Sequence, residues 1–187
     1  MKKLIIGLVG QAGSGKGTVA DLLKNQYDAG YVRFSGILSE LLETLGIEKT
    51  RENFTSLSGA VRDAFGGDVL SYAVEKKSLK SPKDIIVVDG IRRPEDIIAL
   101  EPLPHFRLLS IAVTAEKRFE RMRNRGEKAG EAEMTWEQFL AEDELETEAT
   151  IPSVMERAWK TISNEGTKEE LELKVHEVMK ELGVKKK

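Results

Sequence analysis

The sequence contains no cysteine, which removes disulfides and thiolate metal sites from consideration and fits the reducing conditions of a cytoplasmic location. No run approaches the ~18–20 apolar residues of a bilayer-spanning helix. The opening MKKLIIGLVG imitates a secretory leader, with two lysines before apolar residues. Its apolar run is short, lacks a cleavage-like end and leads into a glycine-rich loop, so it reads as a first strand, and no membrane partner is expected. Neither sign of charge dominates: 29 Lys and Arg stand against 32 Asp and Glu, for a net charge of −3. Nothing therefore draws the whole molecule toward nucleic acid or anionic lipid, and any anion site must be built locally. Aromatic residues are 6% of the chain, few for the stacking surfaces of single-stranded nucleic-acid binding, so no nucleic-acid partner is expected.

What is present fits one domain. The 187 residues can bury a substantial core. Strand-like runs at Leu4–Val9, Tyr31–Phe34, Ile85–Val88, Phe106–Val113 and Trp159–Ser163 alternate with segments of helical periodicity. The helices run from Lys16 to about Tyr27, Ser35 to Leu45, Arg51 to Phe65 and Asp68 to about Lys77. Others run from Pro94 to about Leu100 and Thr114 to about Arg125, then follow the capping boxes Thr135–Gln138 and Thr167–Glu170. This alternation predicts an α/β fold: a five-stranded parallel sheet with helices on both faces and ligands at the carboxyl ends of the strands. His105 and His176 have no apparent partners and read as structural. Trp136 and Trp159 read as packing residues, and the acidic stretch 131–148 as a solvated face.

Residues 10–18 read GQAGSGKGT between a strand and a helix. Gly10, Gly15 and Lys16 have the spacing of a phosphate loop. Glycines let successive N–H groups turn onto phosphate oxygens, and the helix N-terminus adds positive potential. The expected ATP-binding residues of the loop are Gly10, Ala12, Gly13, Ser14, Gly15, Lys16 and Gly17, with Lys16 as a mobile charge on the terminal phosphates. Most such loops place Ser or Thr directly after the lysine to ligate magnesium. Here Gly17 occupies that position and Thr18 follows it.

The GxxGxGKGT form resembles the adenylate kinase branch of the nucleoside monophosphate kinases. DGIRR at 89–93 is similar to the strand-end Asp-Gly and acceptor-binding arginine of that superfamily. AEKRFERMRNR at 115–125 resembles its helix leading into a lid, where arginines four apart clasp the donor; Arg121 and Arg125 have that spacing. ISNEGTKEEL at 162–171 resembles the last strand and loop, whose backbone contacts the donor base, which points to Asn164 and Gly166. The whole pattern, TWEQFLAEDELET included, is similar to a branch near the archaeal nucleotide kinases and dephospho-CoA kinases.

The resemblance implies one three-layer α/β/α P-loop domain over 1–187, with an acceptor-binding helical region at about 35–80 and a small closing lid at about 121–150. It implies catalytic roles for Lys16, Asp89, Arg92, Arg121 and Arg125. ATP is the implied donor, with Thr18 among its binding residues and touching a donor phosphate. Mg²⁺ is held mainly by phosphates and water, with Asp89 reaching it through water. On the acceptor side stand Ser35, Gly36, Arg92 first among the cations, Arg93 second and Arg62 third. The implied partner is a small nucleotide, and the protein is a monomer or a dimer.

The acceptor atom separates the readings. A phosphate acceptor is already anionic, whereas a sugar hydroxyl needs a carboxylate to take its proton. Dephospho-CoA kinases carry an aspartate just after the second strand, where this chain reads VRFSGILSE, residues 32–40. The Thr-Gly-Asp signature of ordinary adenylate kinases is reduced there to Ser35-Gly36, and Glu40 lies near the place of its arginine. Transfer to a (deoxy)nucleoside monophosphate is the first expectation. Phosphorylation of a ribose hydroxyl in dephospho-CoA is the second, and an ATP-binding regulator without transfer the third.

Overall fold

A computed structural model of the protein describes residues 3–125, 131–144 and 149–186, all except the side chain of Arg125. The chain runs β1 (Leu4–Val9), α1 (Lys16–Tyr27), β2 (Gly30–Arg33), α2 (Phe34–Thr44), α3 (Arg51–Phe65), α4 (Val69–Lys80) and β3 (Ile85–Asp89). A 3₁₀ turn (Pro94–Ile97), β4 (Phe106–Ala112), α5 (Ala115–Arg125), α6 (Trp136–Asp143), α7 (Ile151–Met155), β5 (Lys160–Ser163) and α8 (Lys168–Glu181) complete it. The strands lie in the order β2-β3-β1-β4-β5 and every pairing is parallel. Parallel neighbours require crossover connections, which place helices over both faces and bury the strands from two sides. That is why LIIGLV, IIVVD and FRLLSIA are nearly continuous apolar runs.

Alternation along the strands sorts these residues into two cores. Ile5, Val9, Ile86, Val88 and Leu108 pack with Leu38, Val74 and Val154 of α2, α4 and α7. Ile6, Leu8, Val87, Leu109 and Ile162 pack with Leu23 and Val175 of α1 and α8. The result is the expected three-layer α/β/α arrangement around a five-stranded parallel sheet. A third, smaller core joins Met122, Met134 and Phe139 to Phe119, Trp136 and Ala12, and so sets α6 against α5 and the loop after β1. Among the described residues no helix is long and apolar enough to cross a membrane.

Local chemistry sets the start of three helices, α3, α6 and α8, through a capping threonine. Thr135 and Thr167 close the expected capping boxes with Gln138 and Glu170. Three local expectations change. Asp68 precedes α4, but its side chain makes no capping bond; its carbonyl instead receives the amide and hydroxyl of Ser71. Pro94 opens a four-residue 3₁₀ turn rather than a helix to Leu100, because the Asp96 carboxylate turns back to accept the amides of Arg92 and Arg93. His176 does have partners: Nδ1 lies 2.6 Å from the Tyr27 hydroxyl and Nε2 3.2 Å from Glu172, tying α8 to α1.

Gly7 sits at the centre of β1, where an added Cβ would lie 2.8 Å from Ile91 Cδ1 and 3.0 Å from the Phe106 ring. Gly7→Ala should therefore overpack this core and lower stability by about 1–3 kcal/mol, read as a shift in the urea midpoint at unchanged m-value.

Candidate active site

The carboxyl ends of β1, β2 and β3 converge on one edge, since β3 pairs with both of the others. The loop after β1 and the acid ending β3 therefore share a crevice beside the strand-order switch. Within the loop, Gly15 has φ 97°, and a Cβ there would stand 2.4 Å from Asn164 Nδ2. Asn164, buried after β5, donates from Nδ2 to the Ser14 carbonyl at 2.9 Å. Lys16 Nζ reaches back over the loop to the carbonyls of Gly10 at 2.5 Å and Gln11 at 3.0 Å. A Cβ on Gly17 would meet nothing within 4 Å beyond its chain neighbours and the backbone of its own helix, so packing does not demand a glycine after the lysine. Thr18 follows it on the first turn of α1.

One wall of the loop is α5. Arg118 is 2% exposed. Its guanidinium donates to the Ala12 carbonyl at 3.3 Å and pairs with both oxygens of Asp143, at 2.9 and 2.5 Å. Gln11 Nε2 donates to the same carboxylate at 3.3 Å. One turn further along, Arg121 donates to the carbonyls of Asn164 at 2.9 Å and Gly166 at 3.3 Å. The expected donor arginine and the expected base-contacting loop thus meet. The side chain of its expected companion, Arg125, lies outside the described residues. Glu165 accepts the Thr114 amide at 2.7 Å. That bond, followed by the charge of Lys117, holds its carboxyl below the usual range.

The acid at the β3 end also has partners. Asp89 accepts the Gly90 amide at 2.8 Å and the Tyr31 hydroxyl at 2.6 Å, and Arg33 Nε lies 3.7 Å from it. Desolvation and then the bond to Asp89 push the Tyr31 phenol pKa upward, so Tyr31 remains a donor at neutral pH. Arg62, read from sequence as an acceptor cation, has a buried partner: Nη2 lies 2.6 Å from Asp96 and Nη1 donates to the Gly67 carbonyl. It clasps α3 to the turn that carries Arg92 and Arg93. Arg92 is exposed, and its carbonyl accepts the Thr150 hydroxyl at 2.8 Å. Ser35 and Gly36 occupy the first turn of α2, one strand away from Asp89.

Sequence reasoning missed Arg118, Asp143, Asp96, Tyr31 and Arg33 as members of this region. Signals existed for two of them. Arg118 and the buried Met122 share a helix face at i and i+4, which marks that face as inward despite the charge. Asp96 follows Pro94 at the position where an acid can receive free amides. The acid at 143 looked like its solvated neighbours, and no local pattern names its partner.

Comparison with known proteins places this geometry. Residues 6–148 match the family model described as AAA domain. A UPF0200 protein of Pyrococcus horikoshii is 31% identical over 184 residues, covering 96% of this chain and 97% of that one. A crystal structure from Thermus thermophilus superposes with a TM-score of 0.67 at 20% identity, covering 97% of this chain and 99% of the other. The shikimate kinase of Bacteroides thetaiotaomicron superposes with a TM-score of 0.64 at 11% identity over the same shares. The fold is that of the P-loop kinases.

Asp96 is 2% exposed, pairs with Arg62 and receives two backbone amides. Asp96→Ala would strand a buried guanidinium and both donors. A loss of about 3–5 kcal/mol is expected from urea unfolding, a large share of the roughly 5–15 kcal/mol of a typical domain.

Proposed function

The chain belongs to the AAA domain family and to the UPF0200 proteins, and we propose that it is a small-molecule kinase that transfers the terminal phosphate of ATP to the phosphate of a (deoxy)nucleoside monophosphate. The observation that carries this reading is the chemistry at the ends of β2 and β3. Where a hydroxyl-phosphorylating enzyme needs a carboxylate to accept a proton, β2 ends in Arg33, whose guanidinium faces Asp89. Among the described residues, Asp89 at this edge already accepts from Tyr31 and Gly90, and Asp96 from Arg62 and two amides. Such a site suits an acceptor that arrives as an anion and needs cations more than a base.

In this reading an acceptor phosphate oxygen attacks the terminal phosphorus of ATP. The bond from that phosphorus to the bridging oxygen breaks, ADP leaves with the electron pair, and the acceptor becomes a diphosphate. Catalysis then consists of positioning and charge neutralisation. The loop amides and Thr18 hold the donor phosphates, and Lys16 offsets charge on the phosphoryl group being transferred. Arg121 orders the loop at 164–166 beside the donor, with Arg125 following on the same helix. Arg92, with Arg93, holds the acceptor phosphate as a bidentate cation, and Ser35 and Gly36 line its approach.

Magnesium fits the residues present. Among the described residues no group of three or more His, Asp or Glu could cage a metal ion, which suits an ion that arrives on phosphates and keeps its water. Each oxygen of Asp89 accepts one hydrogen bond and retains a lone pair, so Asp89 would hold the ion through a water. When bound, the ion would offset charge on the donor phosphates.

The name of the Bacteroides neighbour, a kinase of a small molecule, favours phosphoryl transfer over a purely regulatory nucleotide switch. The test is ADP production from ATP and Mg²⁺ with a panel of ribo- and deoxynucleoside monophosphates, and with dephospho-CoA. Turnover with one or more monophosphates is expected. Turnover with dephospho-CoA alone would replace this reading with hydroxyl phosphorylation, and ATP binding without any acceptor-dependent turnover would make the protein a regulator. Lys16→Ala should lower kcat by about 10²–10³-fold in a folded protein. Arg92→Ala should lower kcat/KM for the acceptor while the KM for ATP stays near its original value.

A further inference from the structure

The phosphate loop is braced by a segment distant in sequence. A trans peptide places its carbonyl and the following N–H on opposite sides. A carbonyl held outward therefore turns the next amide inward. Asn164 does this for the 14–15 peptide, through the Ser14 carbonyl. For the 12–13 peptide the holder is Arg118, through the Ala12 carbonyl.

A lone buried guanidinium would be costly, and here Asp143 at the end of α6 pairs with it through both oxygens and also receives Gln11 of the loop. Packing reinforces the arrangement. The Arg118 guanidinium lies 5.0 Å from the Phe139 ring centroid, and Phe139 stacks on Trp136 at 5.3 Å. Ala12 packs against the cluster that contains both aromatics. A Cβ on Gly13 would come within 2.9 Å of the Arg118 carbonyl, so loop and helix are in direct backbone contact.

We infer that Arg118 and Asp143 are positioning residues for the phosphate loop: their buried ion pair fixes the Ala12 carbonyl outward and the Gly13 amide toward the bound phosphates. Through this pair, the seating of α6 controls the affinity for the donor nucleotide. Neither side chain touches the reacting atoms. The inference rests on the reading of residues 10–18 as an ATP site.

Two variants separate it from simple loss of structure. Asp143→Asn keeps the shape and removes the charge. Arg118→Lys keeps the charge but cannot serve both carboxylate oxygens and the Ala12 carbonyl together. Each is made in a Trp159→Phe background, which leaves Trp136 as the only remaining tryptophan of the two in the chain. Its emission then reports whether α6 is seated, and titration calorimetry with Mg-ATP gives the affinity.

Both variants should remain folded by circular dichroism, weaken Mg-ATP binding about 10–100-fold and raise the KM for ATP while leaving the KM of the acceptor near its original value. Red-shifted Trp136 emission should accompany the weakened binding. A parent protein that fails to bind Mg-ATP overturns the donor-site reading itself. If the parent binds, two results overturn the positioning role alone. One is a folded Arg118→Lys protein with unchanged affinity; the other is an equal rise in both KM values.

Discussion

A loop that offers its amides to an anion must keep its carbonyls pointing away from that anion, because each planar peptide carries the two groups on opposite sides. The 12–13 and 14–15 peptides meet this demand with partners distant in sequence. Asn164 takes the Ser14 carbonyl and Arg118 takes the Ala12 carbonyl. The tight fit of Gly15 against Asn164 and of Gly13 against Arg118 follows from the same arrangement. Much of the surrounding architecture serves these two partners. β5 and the start of α8 deliver Asn164; α5 delivers Arg118; α6 supplies the charge that lets Arg118 be buried.

The end of β3 follows a parallel logic. Here the problem is to fix a short turn carrying Arg92 and Arg93 at the end of a buried strand. Asp96 accepts their amides, and Arg62 from α3 neutralises it. A single carboxylate thus couples the 3₁₀ turn to the helices between β2 and β3. Asp89, at the end of the same strand, is held by Tyr31 and its own following amide and faced by Arg33. Carboxylates in this crevice are structural clasps or orienting groups. In the proposed reading, that division of labour suits an anionic acceptor better than one that must lose a proton.

The fold was legible because its signals are local. Apolar runs of strand length alternate with 3.6-residue periodicity, and glycines and threonines punctuate them, so β1 and α3 fall where the pattern places them. The loop at 10–18 was legible for the same reason, since its spacing lies within nine consecutive residues. What escaped the sequence depends on pairs far apart. Arg118 and Asp143 are separated by 25 positions and Arg62 and Asp96 by 34, and composition alone gives each of those charges a solvated surface. The helix expected after Arg93 is a 3₁₀ turn, and the fixed φ of proline is compatible with both. The choice was made by the Asp96 carboxylate turning back on the chain.

The claim that a phosphate, and not a hydroxyl, receives the transferred group can be read directly from the product. Phosphorus NMR of the protein with Mg-ATP and a nucleoside monophosphate that it turns over should show the monophosphate resonance replaced by the coupled pair of a second nucleoside diphosphate, growing in step with ADP. Transfer that instead yields a new phosphomonoester on the acceptor, with its original phosphate resonance kept as a separate uncoupled line, would contradict the account.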